Sequence, residues 1–219
     1  MATFVLIHGA GDAGWYWHLV ERELRGRGHD TLAPDLPCDD DSAGLAGYAD
    51  TIVAAIGGRS DLIVVAQSFG GFTAPLVAER VPVDLLVLVA AMIPAPGEAP
   101  DDWSANTGFD QVMSEQAERF SGQDLVYQDV PPALAGQARR HARDQSGTPG
   151  RDRWPLDAWP AVPTRFVVCT EDRFFPAEFM RRVAASRLGV VPDEIAAGHA
   201  VALSRPAELA SLLCGYLAS

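Results

Sequence analysis

Ser68, Asp172 and His199 are the residues of this 219-residue sequence whose types and settings suit joint chemistry. A serine hydroxyl is a weak nucleophile at neutral pH. It needs an imidazole to take its proton, and the imidazole needs a carboxylate to hold its tautomer and stabilise the imidazolium. Ser68 lies in Gln67-Ser68-Phe69-Gly70-Gly71, where an apolar run over 62–66 gives way to a helical pattern reaching Arg80. A serine on such a sharp strand-to-helix turn projects its hydroxyl outward. The turn closes only if the residues two before and two after are small, and here they are Ala66 and Gly70. Pro75 falls inside the helix expected to follow and should bend it. Asp172 follows the apolar run 166–169, and His199 follows a weaker run at 194–196. Glu171 is an alternative acid, and helix capping is an alternative role for Asp172. Among the other histidines, His18 falls on a helix, His29 at the entry of a strand, and His141 in the insertion between the fourth and fifth strands. His8 belongs to a glycine turn, and only His199 directly follows the last strand.

A second cluster ends the first apolar run: His8-Gly9-Ala10-Gly11. A tight glycine turn there points a backbone N–H toward Ser68. Ala10 and Phe69 are therefore the expected donors to an oxyanion. A competing reading takes Gly9, Gly11 and Gly14 as a dinucleotide-binding G-x-G-x-x-G, with Asp35 available for a ribose. Bulky Trp15 and Trp17 at the start of the next helix weigh against it, because that motif requires close packing there.

The elements that must position these groups alternate. Short β-rich runs at 4–7, 31–33, 62–66, 85–89, 166–169 and 194–196 are separated by helical periodicities such as Trp17, Val20 and Leu24. Near-continuous apolar runs suit parallel strands covered on both faces. The expected fold class is α/β, with a doubly wound, mainly parallel six-stranded sheet. The alternation breaks once. Residues 92–162 are edged by Pro and Gly, are helical in the middle (Ala133 to Arg143 follows Pro131-Pro132), and hold Trp103, Trp154 and Trp159. We read 1–91 and 163–219 as the two parts of a core and 92–162 as a helical cap inserted between them.

Composition narrows the function. The formal charge is −12, every one of the 17 basic residues is Arg, and there is no basic stripe, so nucleic acid is not an expected partner. Without lysine, amine chemistry is excluded. Cys38, Cys169 and Cys214 are far apart and lack metal-ligand spacing, so no metal is expected. The apolar run at the N-terminus is too short for a signal or a membrane span, which makes the expectation a cytoplasmic protein with no membrane partner, a monomer or homodimer.

The order Ser68, Asp172, His199 and the settings of these residues resemble the α/β-hydrolase superfamily over nearly the whole chain. More narrowly, the run from Phe4 to Ala10, the tryptophans after it, and Gly198-His199 followed by Leu203-Ser204-Arg205-Pro206 look like the plant methylesterase and hydroxynitrile lyase group and its bacterial relatives. The resemblance implies an α/β-hydrolase fold, a compact cap, no cofactor, and small, often aromatic or alicyclic, ester substrates. Lyases of that type carry Thr at the position of Gly9 and Lys at the position of Ala200. This chain has neither, which favours a small-molecule ester. Gly9, Trp103, Phe109, Trp154, Trp159 and Phe174, with Met92, are candidate walls of the substrate pocket. Arg173 is a candidate for a substrate carboxylate or for a surface ion pair. Thioester, C–C or lyase-type substrates, and a ligand receptor without turnover, remain alternatives on the same scaffold.

Overall fold

A computed structural model describes residues 1–217, so the last two residues of the 163–219 segment lie outside the described residues. Six strands form one parallel sheet in the order β2-β1-β3-β4-β5-β6: β1 (Thr3–Ile7), β2 (Asp30–Leu32), β3 (Leu62–Gln67), β4 (Leu85–Val89), β5 (Thr164–Cys169) and β6 (Asp193–Ile195). The sheet, its mainly parallel pairing and its helical cover are those expected from the sequence.

Strand periodicity divides the core in two. Val5, Ile7, Val64, Ala66, Leu86, Leu88, Phe166 and Val168 face α2 (Leu45–Ile56), α3 (Ala74–Ala78) and α8 (Ala177–Leu188). Phe4, Leu6, Ile63, Val65, Val87, Val89, Val167 and Cys169 face α1 (His18–Gly26), α9 (Val201–Ser204) and α10 (Pro206–Gly215). Both faces are dry, which is why the strands read as unbroken apolar runs. Between β4 and β5 the chain carries α4 (Pro100–Thr107), α5 (Phe109–Arg119), α6 (Pro132–His141) and α7 (Thr148–Arg151).

Pro75 bends nothing. Residues Ser68–Phe72 form a short 3-10 turn, and α3 begins only at Ala74. Pro75 therefore sits in a first helical turn, where its missing N–H would have had no acceptor. The sequence pattern had merged two elements into one helix.

Candidate active site

The C-terminal ends of β1, β3, β5 and β6 converge, and this is where an open parallel sheet gathers ligand-binding groups. Ser68 follows β3 with φ +52°, a left-handed conformation costly for a residue with a Cβ. The surroundings hold it there. A Cβ on Gly70 would lie 2.9 Å from the His8 carbonyl oxygen, and one on Gly71 would lie 1.9 Å from that of Met92. The Met92 N–H donates to the Ser68 carbonyl at 2.9 Å. The elbow is thus wedged between the ends of β1 and β4.

The β5 and β6 ends are tied by the Thr170 N–H to Ile195 O and the Glu171 N–H to Ala197 O, at 2.9 and 3.0 Å. Asp172 and His199, both buried, meet there: Nδ1 of the imidazole lies 2.8 Å from Oδ2 of Asp172. The other carboxylate oxygen accepts the N–H groups of Phe174 and Phe175 at 2.8 and 2.9 Å. Asp172 therefore orients the imidazole and closes its own turn. Glu171 is exposed and makes no such contact. Phe174 and Phe175 pack on the ring with centroids 5.0 and 5.2 Å away. The Gly198 N–H donates to Oδ2 of Asp129 at 2.7 Å, and Asp129 lies where a Cβ on Gly198 would be.

Nε2 of His199 is engaged by a residue the sequence reading passed over. The buried side-chain N–H of Gln67 donates to it at 2.9 Å. With Nδ1–H directed at Asp172, Nε2 is the acceptor of this amide and borders the cavity through the ring, the position from which a general base acts. Proton transfer from Ser68 requires Nε2 to exchange the Gln67 amide for the serine hydroxyl.

His8 has a different task. It is fully buried, its Nδ1 lies 2.8 Å from Gly9 O, and its Nε2 accepts the Leu36 N–H at 3.0 Å. Burial lowers its pKa and keeps it a neutral strut beneath the glycine turn. Gly14 fits that turn because a Cβ would lie 1.9 Å from Ala33 O. The three glycines meet different neighbours: Gly9 faces Gln67 and Ser68, Gly11 turns at φ +63° beside Arg143, and Gly14 abuts the chain leaving β2, so close packing gives each of them a reason without a nucleotide. Ala10 borders the same cavity as Ser68. Phe69 is second in a 3-10 turn, where its N–H has no acceptor within the turn.

The cavity over Ser68 is small, about 170 Å³. It is bordered by Gly9, Ala10, Asp12, Tyr16, Gln67, Ser68, Val126, Tyr127, Phe174, His199 and Ala200. Of the candidate walls, Gly9 and Phe174 are here. Trp103, Phe109, Trp154 and Trp159 are not, which corrects the reading from sequence. The indole N–H of Trp103 donates to Ile93 O at 3.0 Å, and its ring packs with Phe109, Phe175 and Phe179. Trp154 donates to Phe72 O at 3.3 Å and stacks on Trp159. A buried indole needs an acceptor, and the carbonyls around the cap root supply one. Met92 packs into the same core. Arg173 donates to Gln123 Oε1 at 2.8 Å and lies over the Phe120 ring, outside this cavity.

Asp12 and Tyr16 were missed because they sit in the glycine turn and the start of the next helix, where residue type alone says nothing about what a side chain faces. Burial pushes the Asp12 carboxyl up to about 6. The Ala13 N–H pulls against that, and Asp35 adds to it. Because the folded pKa exceeds the unfolded one, the native state gains a proton between about pH 4 and 6, and the ionised carboxylate destabilises the fold above that window. Asp12→Asn is expected to raise stability at pH 7.5 by about 1–3 kcal/mol, the gain vanishing toward pH 4. Thermal melts of the two proteins across that range check it; a loss of stability at pH 7.5 would contradict it.

The model of the alpha/beta hydrolase family matches residues 4–212. The chain belongs to that family. Norfluorocurarine synthase 1 of a Strychnos species is 24% identical over 96% of this chain and 93% of its own. Methylesterase 7 of Arabidopsis thaliana is 34% identical over 42% of this chain and 40% of its own. The crystal structure of polyneuridine aldehyde esterase superposes with a TM-score of 0.82 at 20% identity, covering 99% of both chains. The likeness to the plant methylesterase group drawn from the glycine turn and the Gly198-His199 segment therefore holds.

Proposed function

We propose that this alpha/beta hydrolase cleaves small carboxylic esters through Ser68, His199 and Asp172. The observation that carries the reading is the Asp172–His199 pair, 2.8 Å apart, opening on the cavity that also receives the hydroxyl of a serine held at φ +52°. In this reading Ser68 Oγ attacks the ester carbonyl carbon as Nε2 of His199 takes its proton. The Ala10 and Phe69 N–H groups hold the oxyanion. The imidazolium returns the proton to the departing alcohol, and His199 then activates water to release the acid. No cofactor enters these steps. A cavity of about 170 Å³ suits a small substrate.

Gly9 supports hydrolysis over cyanohydrin cleavage. A Cβ there would lie 2.7 Å from Gln67 Oε1 and 3.0 Å from the Ser68 Cβ, so the lyase-type Thr would have to displace the Gln67 amide from where it sits in this chain. One observation favours a second reading: the Gln67 amide occupies Nε2, as it would in a protein that binds this class of molecule with little turnover. A panel of p-nitrophenyl and methyl esters of acetate and butanoate, run beside thioesters and β-diketones, separates the readings. The expected result is turnover of the esters above the other classes. Turnover of β-diketones or thioesters alone would overturn the ester reading, and ligand binding without any turnover would establish the second.

A further inference from the structure

Deepening the ester-hydrolase reading, on which it rests, we infer that the Asp12 end of the cavity is a subsite for an ammonium group, so that the substrate is a small ester carrying a positive charge. Asp12, Tyr16 and Tyr127 border the cavity together with Ser68 and His199. Asp12 is a half-buried carboxylate to which, among the described residues, no Arg or His makes an ion pair. The Ala13 N–H at 2.9 Å serves its Oδ1, and the other charge acting on it, Asp35, has the same sign. Tyr16, only 3% exposed, borders the same cavity, with its hydroxyl buried beside the Ala202 backbone.

A fold does not leave a carboxylate without a cation in this state without cost. A ligand can remove that cost. A neutral hydroxyl would leave the charge of Asp12 uncompensated. An ammonium donates to Asp12 and meets the rings of Tyr127 and Phe174, which border the same cavity and suit a cation. The placement also bears on catalysis. Asp12 is two residues from Ala10, so its charge opposes the developing oxyanion unless a cation offsets it. Burial, with the like charge of Asp35, lifts the Asp12 carboxyl to about 6, in keeping with a carboxylate that has no cation beside it.

The test compares kcat/KM within shape-matched pairs: β-alanine methyl ester against methyl butanoate, and 3-aminopropyl acetate against butyl acetate. The first pair places the charge on the acyl side and the second on the alcohol side. The wild type is expected to favour the cation in at least one pair by roughly ten- to a hundredfold, the range of a hydrogen bond to a charged group. The ratio should fall to about one in Asp12→Asn, with a melt confirming that the variant is folded. Hydrolysis of the neutral esters with no cation preference in either pair overturns the inference, as does a preference that survives in Asp12→Asn. Equal preference for methyl 3-hydroxypropanoate would replace the ammonium by a hydroxyl. If no ester is cleaved, the ester reading falls, and calorimetric binding to Ser68→Ala decides the subsite separately. Tighter binding of the cationic member, lost in Ser68→Ala/Asp12→Asn, supports it; equal binding of cationic and neutral members overturns it.

Discussion

Ser68→Ala is expected to lower kcat on any ester the protein cleaves by roughly a million-fold, with KM changed little. The size follows from what is lost. The Asp172–His199 pair stays in place, bonded at 2.8 Å, and the donors at Ala10 and Phe69 are backbone groups that no side-chain change removes. What disappears is the atom that forms the acyl-enzyme, and water at bulk reactivity does not replace it. The residual rate from the oxyanion donors and binding should still exceed the uncatalysed rate by about a thousandfold or more. Single-turnover kinetics on p-nitrophenyl acetate measure both. The variant should melt at or above the wild-type temperature. At position 68 the methyl group of Ala still carries the strain of φ +52°, so relief of strain contributes nothing. A drop of only tenfold would mean that another group attacks the ester.

The second large effect is on stability and lies away from the site. Glu98, at the root of the cap, and Arg187, near the end of α8, form a buried two-pronged pair, with side chains 3% and 15% exposed. One prong joins Arg187 Nη2 to Glu98 Oε1 at 2.8 Å; the other joins Nη1 to Oε2. The same carboxylate accepts Asn106 Nδ2 at 2.9 Å and the Ala95 N–H at 3.0 Å, while Arg187 also reaches Ile93 O. Burial raises the Glu98 carboxyl, but Arg187, Asn106 and Ala95 outweigh it and hold the group below the usual range.

Arg187→Met leaves that charge buried without its cation and is expected to cost about 3–5 kcal/mol, or roughly 6–20 °C in Tm. Because the folded pKa of Glu98 is depressed, its contribution is complete above the ordinary carboxylate range. It is lost as pH falls through the folded value, so wild type and variant should draw together only as pH is taken below the ordinary carboxylate value of 4.5. Adding Glu98→Gln should recover part of the loss, and the double-mutant cycle yields the coupling. A cost below about 1 kcal/mol, the level of a surface pair, would contradict the account.

How far the sequence carried depended on what each residue's role requires. The sheet was legible because strands buried on both faces must be almost wholly apolar, as β4 is and as β1 and β3 are apart from Thr3 and Gln67 at their ends. Ser68, Asp172 and His199 stood out because an elbow needs small flanks and because acid and base must follow strands. The cap tryptophans did not, since an aromatic side chain reads the same whether it lines a cavity or fills a core. Only the carbonyls of Ile93 and Phe72, brought near by the fold, decide for Trp103 and Trp154. Gln67 was hidden by its neighbour: its position was read as a turn residue, and its bond to His199 spans 132 positions. Asp12 and Tyr127 come together across the cap, and no local pattern encodes that meeting.

The most direct test of Ser68 as the nucleophile is covalent. The protein is incubated with a fluorophosphonate, and the adduct is located by peptide mass spectrometry. The account predicts one stoichiometric adduct on the peptide containing Ser68, formed much more slowly in His199→Ala and absent in Ser68→Ala. An adduct on another residue, or labelling of Ser68→Ala at the wild-type rate, would contradict it.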